Sequence, residues 1–400
     1  MTSSPVARLP WLDHLRTLVI ILVVNLHACV TYSHVGDWYF KSAQEPTLLE
    51  KVPFIVWEAH LQAFFMGLLF FVSGYLAHGS LARKGPAQFV RERLIRLGLP
   101  ALAYMLLIHP FILLVLNPWN HDFGPPGVFY TEYLVTGRFL RSSGPLWFAV
   151  ALLFFSTLLA VFRSVGHHSP VKVSAPNHDA SRPTGANPPP SATLWIFACA
   201  LGAGTFAVRL AQPIGTNVLN MQLGYFVQYV TYFAAGVHAA RHGWLLPLVA
   251  SPRARMAGWV TLGAGPVALL ALMFGGMTAG KVEYFFGGWH WQAFGFALWE
   301  QLAGVGLSLG ALAFASRKLN LENARLRWLD DRSFAVYVLH APVLVGLAML
   351  FRSLPPNLYA LVALLTLTGL LVSFIAADLT RRVASVCRAR MATSDSLKTN

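Results

Sequence analysis

The stretch Trp11-Leu12-Asp13-His14-Leu15-Arg16-Thr17-Leu18-Val19-Ile20-Ile21-Leu22-Val23-Val24-Asn25-Leu26-His27-Ala28-Cys29 decides the fold. Between Arg16 and Asn25 it offers almost nothing that water would hold, and the apolar character runs on to residue 35. A bilayer core of about 30 Å needs about 20 such residues in one helix, so residues 15–35 predict a membrane span. Leu26-His27-Ala28-Cys29 looks a little like a lipoprotein cleavage box. His27 fits such a box poorly, and the segment reads as an uncleaved first span.

The rest of the 400 residues repeats that pattern. Hydrophobic residues make up 56% of the chain and charged residues 12%, where soluble domains carry roughly 25% charged. This excludes an ordinary soluble enzyme and a disordered chain. Nine further stretches qualify as spans: 57–78, 97–116, 145–163, 193–210, 221–240, 257–275, 289–315, 333–351 and 357–378. The expected fold is all-α, a polytopic integral membrane protein of about ten transmembrane helices. Gly and Pro interrupt several spans, which membrane helices tolerate. Gly304, Gly306 and Gly310 recur in the way usual for close helix packing.

The formal net charge is +14, from 30 Lys and Arg against 16 Asp and Glu. With a cytoplasmic N-terminus and ten crossings, 23 of the 30 basic residues fall in cytoplasmic segments and 7 on the other side. Basic residues accumulate in cytoplasmic loops. The split therefore predicts an N-in, C-in chain in the lipid bilayer, and no nucleic acid is needed to explain the charge. Cys29, Cys199 and Cys387 form neither a CxxC pair nor a metal-ligand spacing, so neither a disulfide framework nor a bound metal is expected. Residues 1–12 and 379–400 read as cytoplasmic tails around a membrane domain at 13–378. Inside that domain, residues 164–192 are rich in Ser, Pro, His and Asn and read as a flexible cytoplasmic linker. Its His167, His168 and His178 read as solvated loop rather than metal ligands. Residues 117–143 form an outside loop long enough to cover a site.

Ionisable groups inside a span cost about 2.5–3.5 kcal/mol at its centre, so each one is a functional candidate. Arg16 and His27 are eleven residues apart, roughly 16 Å of helical rise and nearly the same face. One sits at the cytoplasmic edge, the other past mid-membrane. That suits a tunnel with an anionic donor entering from the cytoplasm and an acceptor arriving from outside; alternatively His27 only hydrogen-bonds a neighbouring helix. Arg93 and Arg96 share a helical face, and guanidinium forks suit phosphate oxygens; an ordinary basic loop is the plainer account. Glu300 lies mid-span with no charged neighbour in sequence, placed either to orient His27 or to pair with a basic group. Glu58 and His60 open the second span on its outer side, where they contact an acceptor or simply sit at the interface. Trp147 is either a sugar-stacking platform or core.

Four segments in order carry a family resemblance. They are Trp11–Arg16 with Arg16-x10-His27, Phe70-Phe71-Val72-Ser73-Gly74-Tyr75, Phe89 to Pro100 with Gly144-Pro145-Leu146-Trp147-Phe148, and Ser333-Phe334-Ala335-Val336-Tyr337-Val338-Leu339-His340. Together they resemble the acyltransferase family 3 membrane proteins over about residues 10–378, nearest the glucan-biosynthesis branch. The resemblance implies an integral-membrane O-acyltransferase that moves an acyl group, acetyl or succinyl, from cytoplasmic acyl-CoA onto a sugar of an extracytoplasmic glycan, in a bacterial inner membrane. It implies His27 as the essential histidine, Arg16 as its paired arginine, and Arg93 and Arg96 as donor-binding arginines. His340 lies in a shared motif and reads as helix packing more readily than as catalysis. A histidine base suits the chemistry, because a sugar hydroxyl is a poor nucleophile without one. Direct attack and a covalent acyl-enzyme both fit. The rival class is a secondary transporter or flippase, which multi-span topology and interrupted helices fit equally well. It would not specially require an arginine and a histidine three turns apart.

Overall fold

The computed structural model describes residues 9–117, 124–165, 187–276, 281–355 and 357–398. His167, His168 and His178 of the linker lie outside them, as do Arg8, Lys172 and Arg182 of the charge pattern. Among the described residues there is no β-strand beyond an isolated bridge between Val218 and Met221. The protein is an all-α, polytopic membrane protein. Its principal helices are α1 (Pro10–Ser33), α2 (Leu48–Lys84), α3 (Pro86–Leu116), α4 (Pro126–Val135), α5 (Trp147–Val165), α6 (Ser191–Arg209), α7 (Phe226–His242), α8 (Pro252–Phe274), α9 (Trp291–Lys318), α10 (Ala324–Phe351) and α11 (Leu358–Lys398).

Nine of these described helices are long and apolar enough to cross a membrane, and they coincide with nine of the ten expected spans. The tenth, 221–240, is α7, whose 17 residues rise roughly 26 Å, at the short end of what spans a bilayer. Several helices overrun their expected spans, α2, α3, α10 and α11 by the most. α2 begins at Leu48 because Thr47 and Glu50 form a capping box, and it runs to the positive-φ Gly85. α11 continues as helix to Lys398, through the segment read as a tail. Asp378 starts that extension by pairing with both Arg332 and Arg382, and Arg381 bonds Asp331.

The interior of the bundle is made by α1, α2 and α9, whose apolar windows are 61%, 67% and 67% buried, against 22% for α6 and 28% for α3. α1 packs on α2, α9, α10 and α11, and α2 also takes α7 and α9. The α2–α7 crossing brings backbone against backbone. A Cβ at Gly74 would fall on the carbonyl of Phe233, and one at Gly236 on the carbonyl of Phe71. Small residues let helix backbones meet where lipid supplies no hydrophobic drive, which accounts for the glycine in Phe70–Tyr75.

α3 is wound partly as π-helix, at Leu94–Gly98, Tyr104–Ile108 and Ile112–Leu116. Pro110 has no N–H to offer the carbonyls four and five residues back. Those carbonyls are capped by side chains instead: Tyr130 Oη donates to Leu106 O at 2.9 Å and Tyr133 Oη to Met105 O at 2.6 Å. The helix α4, in the loop between α3 and α5, is thereby strapped along α3.

Gly236→Ala is expected to push α7 off α2 and destabilise the protein by roughly 1–3 kcal/mol. Gly263→Ala, with nothing within 4 Å of its Cβ position, serves as the control, with an unfolding temperature unchanged or slightly raised because Ala is the better helix former. Thermal unfolding in detergent reads both.

Candidate active site

α1 and α10 pack together, and this brings His27 and His340 into hydrogen-bond contact, Nδ1 to Nε2, at 3.1 Å. The tautomers follow from the surrounding bonds. His340 Nδ1 lies 2.8 Å from the carbonyl of Tyr337. A carbonyl only accepts, so His340 Nδ1 carries the proton and its Nε2 presents a lone pair. His27 therefore donates from Nδ1, and its Nε2 is left with a lone pair of its own. The ring of Trp38 lies over His27, centroids 3.8 Å apart and planes 19° apart. His27 borders a cavity of about 80 Å³ inside the bundle, lined also by Gln62, Phe65, Met66, Trp147 and Tyr337.

The segment Ser143-Gly144-Pro145 closes one side of this cavity. Gly144 has φ +48°, and a Cβ there would strike the rings of Tyr39 and Tyr104. The Tyr337 hydroxyl donates to Pro145 O, and Asn220 Nδ2 donates to Gly144 O at 2.8 Å. Trp147 then begins α5 with its ring stacked near Tyr229, centroids 5.4 Å apart. Beyond Trp38, Tyr39 Oη meets Tyr104 Oη at 3.0 Å and His109 Nδ1 at 2.8 Å. Burial pushes the Tyr39 hydroxyl well above its ordinary range, so it remains a neutral donor.

At the other end of α1, Arg16 lies 3.5 Å from Asp13 and keeps 41% of its side chain exposed. Its charge and those of Arg93 and Arg96 act on one another, so the structure gathers all three guanidinium groups from α1 and α3. Arg93 also sits over the ring of Phe89 at 5.1 Å. His14 and Thr17 bind the two carboxylate oxygens of Asp330 at 2.6 and 2.7 Å, which ties this end of α1 to α10.

The remaining predicted residues divide. Glu58 is buried between α1 and α2, where Ser33 Oγ donates to it at 2.8 Å, one turn along α2 from Gln62 of the cavity. His60 turns the other way: its Nδ1 contacts Val56 O at 2.6 Å, and its ring meets Trp299 edge-on. Of the two alternatives open to Glu300, the structure adopts the basic partner. Arg209 Nη2 donates to Glu300 Oε2 at 2.7 Å, with both side chains buried. Gln301 Nε2 joins the same oxygen at 3.2 Å, and Gln228 Nε2 bridges Gln301 Oε1 and the carbonyl of Ala63. Arg209, counted with the outer loop by its sequence position, is fully buried here.

Three residues beside the predicted ones come forward in the structure: His340, which the sequence reading assigned to helix packing, Arg209, which it counted only as an outer-loop charge, and Trp38, which it did not single out. His340 carried a signal, since it stands in the Ser333–His340 motif. Trp38 carried none, lying in a loop beyond the first span. Among the described residues no cluster of three His, Cys, Asp or Glu side chains converges as a metal site.

Comparison with known proteins agrees with the shared motifs. The profile of acyltransferase family 3, described as an acyltransferase domain, matches residues 9–378. The chain is similar to the glucans biosynthesis protein C of Escherichia coli O1:K1 / APEC, 24% identical over 352 residues, covering 86% of this chain and 84% of the relative. The glucans biosynthesis protein C of Escherichia coli O9:H4 (strain HS) matches with the same figures. No solved structure matches. With a family profile spanning nearly the whole bundle, and with His27, Pro145, Trp147 and Tyr337 of the shared motifs lining one cavity, the chain belongs to acyltransferase family 3 and is a membrane-bound O-acyltransferase.

Proposed function

We propose that the protein transfers an acyl group, succinyl or acetyl, from cytoplasmic acyl-CoA to a sugar hydroxyl of an extracytoplasmic glycan, with His27 as general base. One observation carries this reading: the hydrogen-bond chain from Tyr337 O through His340 to His27, which leaves His27 Nε2 bare beside a cavity. That nitrogen takes the hydroxyl proton as the sugar oxygen attacks the thioester carbonyl carbon. The C–O bond forms and the carbonyl π pair moves onto oxygen. Collapse restores the C=O bond and breaks the C–S bond. The sulfur leaves with that pair and takes the proton from His27 as the CoA thiol. His340 positions the ring and accepts from Nδ1–H as positive charge develops on His27. The orienting part expected of Glu300 thus falls to His340, and Glu300 serves as the partner of Arg209.

Arg16, Arg93 and Arg96 would hold the CoA phosphates, for which a three-guanidinium cluster is suited. The roughly 16 Å of helix between Arg16 and His27 is a distance that an extended phosphopantetheine arm is built to cover. On the acceptor side, Glu58 would take sugar hydroxyls and Trp147 would offer a ring face. His60, facing Trp299, is left out of the acceptor site. The relatives' name favours a glucan as acceptor; succinyl is taken ahead of acetyl on the branch resemblance of the sequence motifs alone. The membrane domain is taken as 13–378 with linker 164–192 in the cytoplasm. α7 supplies the tenth crossing, which makes the chain N-in and C-in across a bacterial cytoplasmic membrane, as the basic residues favour.

Purified protein in lipid nanodiscs, with labelled succinyl-CoA or acetyl-CoA and a glucan oligosaccharide, tests this. His27→Ala is expected to lose roughly 10²–10⁴-fold in transfer; full transfer in that variant would sink the base assignment. His340→Ala should lower kcat at least about tenfold at an unchanged donor KM, whereas a packing role alone leaves kcat intact. Arg93→Ala and Arg96→Ala should raise the donor KM, and added salt should raise it in the wild type. Glu300→Gln should keep kcat within a few-fold. Glu300→Ala strands a buried Arg209 and should cost about 3–5 kcal/mol of stability, read by thermal unfolding.

A further inference from the structure

We propose that Trp38 is a catalytic residue: its indole Nε1–H donates a hydrogen bond to the acyl carbonyl oxygen as that oxygen becomes an oxyanion. The proposal rests on the reading of His27 as the base. Trp38 Nε1 is buried and has no hydrogen-bond partner among the described residues. Buried donors are nearly always paired, and one left open is costly. Yet the indole is held firmly in that state. Its ring lies parallel to His27 at 3.8 Å and to His340 at 6.1 Å, with planes 19° and 15° apart. The neighbouring Tyr39 is anchored at three points, by Tyr104, by His109 and by Asn117 Nδ2 on its carbonyl at 2.7 Å. The loop closes further on with Ser42 N donating to Thr31 O at 2.9 Å.

The reaction creates the need that such a group meets. When the sugar oxygen bonds to the carbonyl carbon, a full negative charge forms on the carbonyl oxygen, beside His27. Preorganised donors aimed at that oxygen contribute heavily to the rate of acyl transfer, because they are already in place when the charge appears. Two other donors around the cavity are committed, the Tyr337 hydroxyl to Pro145 O and Gln62 Nε2 to the Tyr229 hydroxyl at 3.1 Å; Trp147 also lines the cavity, but it is Trp38 whose ring is stacked on His27. The three arginines stand about three helical turns away along α1. Trp38 supplies an uncommitted N–H in a ring laid directly against the base. When the tetrahedral centre collapses, the electron pair returns to the C=O bond and the C–S bond breaks; Trp38 neither gains nor loses a proton.

The test is transfer by the full-length protein in nanodiscs, from whichever of succinyl-CoA or acetyl-CoA the wild type uses to a glucan oligosaccharide. Trp38→Phe keeps an aromatic ring and removes the N–H. Its kcat is expected to fall about 10²-fold, with KM for either substrate within about twofold and an unchanged pH–rate profile, since the N–H does not titrate. Trp38→His, which retains a ring N–H, should recover part of the loss. CoA binding and thermal unfolding of each variant establish that it is folded. Wild-type kcat in Trp38→Phe overturns the proposal, as does a raised acceptor KM at unchanged kcat, which would make Trp38 a sugar platform. His27→Ala is measured alongside. If it is fully active, the base reading fails; if it is inactive while Trp38→Phe matches wild type, only the role of Trp38 fails.

Discussion

A polar atom inside a membrane bundle has no water to turn to, so each must find its partner within the protein. This constraint shapes the molecule at every level. It makes Tyr130 and Tyr133 cap the carbonyls that Pro110 leaves open in α3. It draws Arg209 and Glu300 together and surrounds them with Gln301 and Gln228. It also orders the site, because a histidine in the bundle must resolve which nitrogen donates. Tyr337 O settles that question for His340, and His340 settles it for His27.

The same rule makes the exceptions informative. Trp38 Nε1 stays open while its ring lies against the base, and the proposed oxyanion contact is a use for that donor. The ion pair of Arg209 and Glu300, fixed by Gly224 O, Gln301 and Gln228 with only Arg209 Nη1 unpartnered among the described residues, reads as architecture, and the histidine pair beside its cavity reads as chemistry. The two lie on different helices for a mechanical reason as well. α2 and α9 meet α7 through Gln228 and the glycines of the α2–α7 crossing, which gives a rigid frame. α1 is set against that frame with its two ends tied, by Asp330 at one and Glu58 at the other.

The arrangement also explains why the donor and acceptor halves of the reading can coexist. Arg16 of the guanidinium cluster and His27 of the histidine pair occupy one stripe of α1, separated by an apolar run without a charge from Thr17 to Val24. The anionic part of a donor can be held at one level while its reactive end lies at another. Trp38, Tyr39 and the Gly144 segment then roof the histidines from the far side.

Much of this was legible in the sequence, and for a definite reason. Spans declare themselves by unbroken apolar length, which is a local property, so the all-α membrane fold and ten candidate spans could be read directly. The span read at 221–240 is the shorter α7, in which Gln228 and two tyrosines dilute the apolar run, and the end of α11 was hidden because ion pairs to α10 extend it beyond its apolar stretch. Arg16 and His27 stood out because they interrupt a hydrocarbon run, and Arg93 and Arg96 because their spacing gives one face. Partnership was not legible. Glu300 could be seen to need a partner, but Arg209 lies 91 residues away at a span's end, and His340 is 313 residues from His27. A hydrogen bond depends on where two helices cross and how each is rotated, and both depend on packing against third helices. Local apolar length and its interruptions therefore specify which groups are buried at a cost, and the crossing of distant helices selects which of those groups meet.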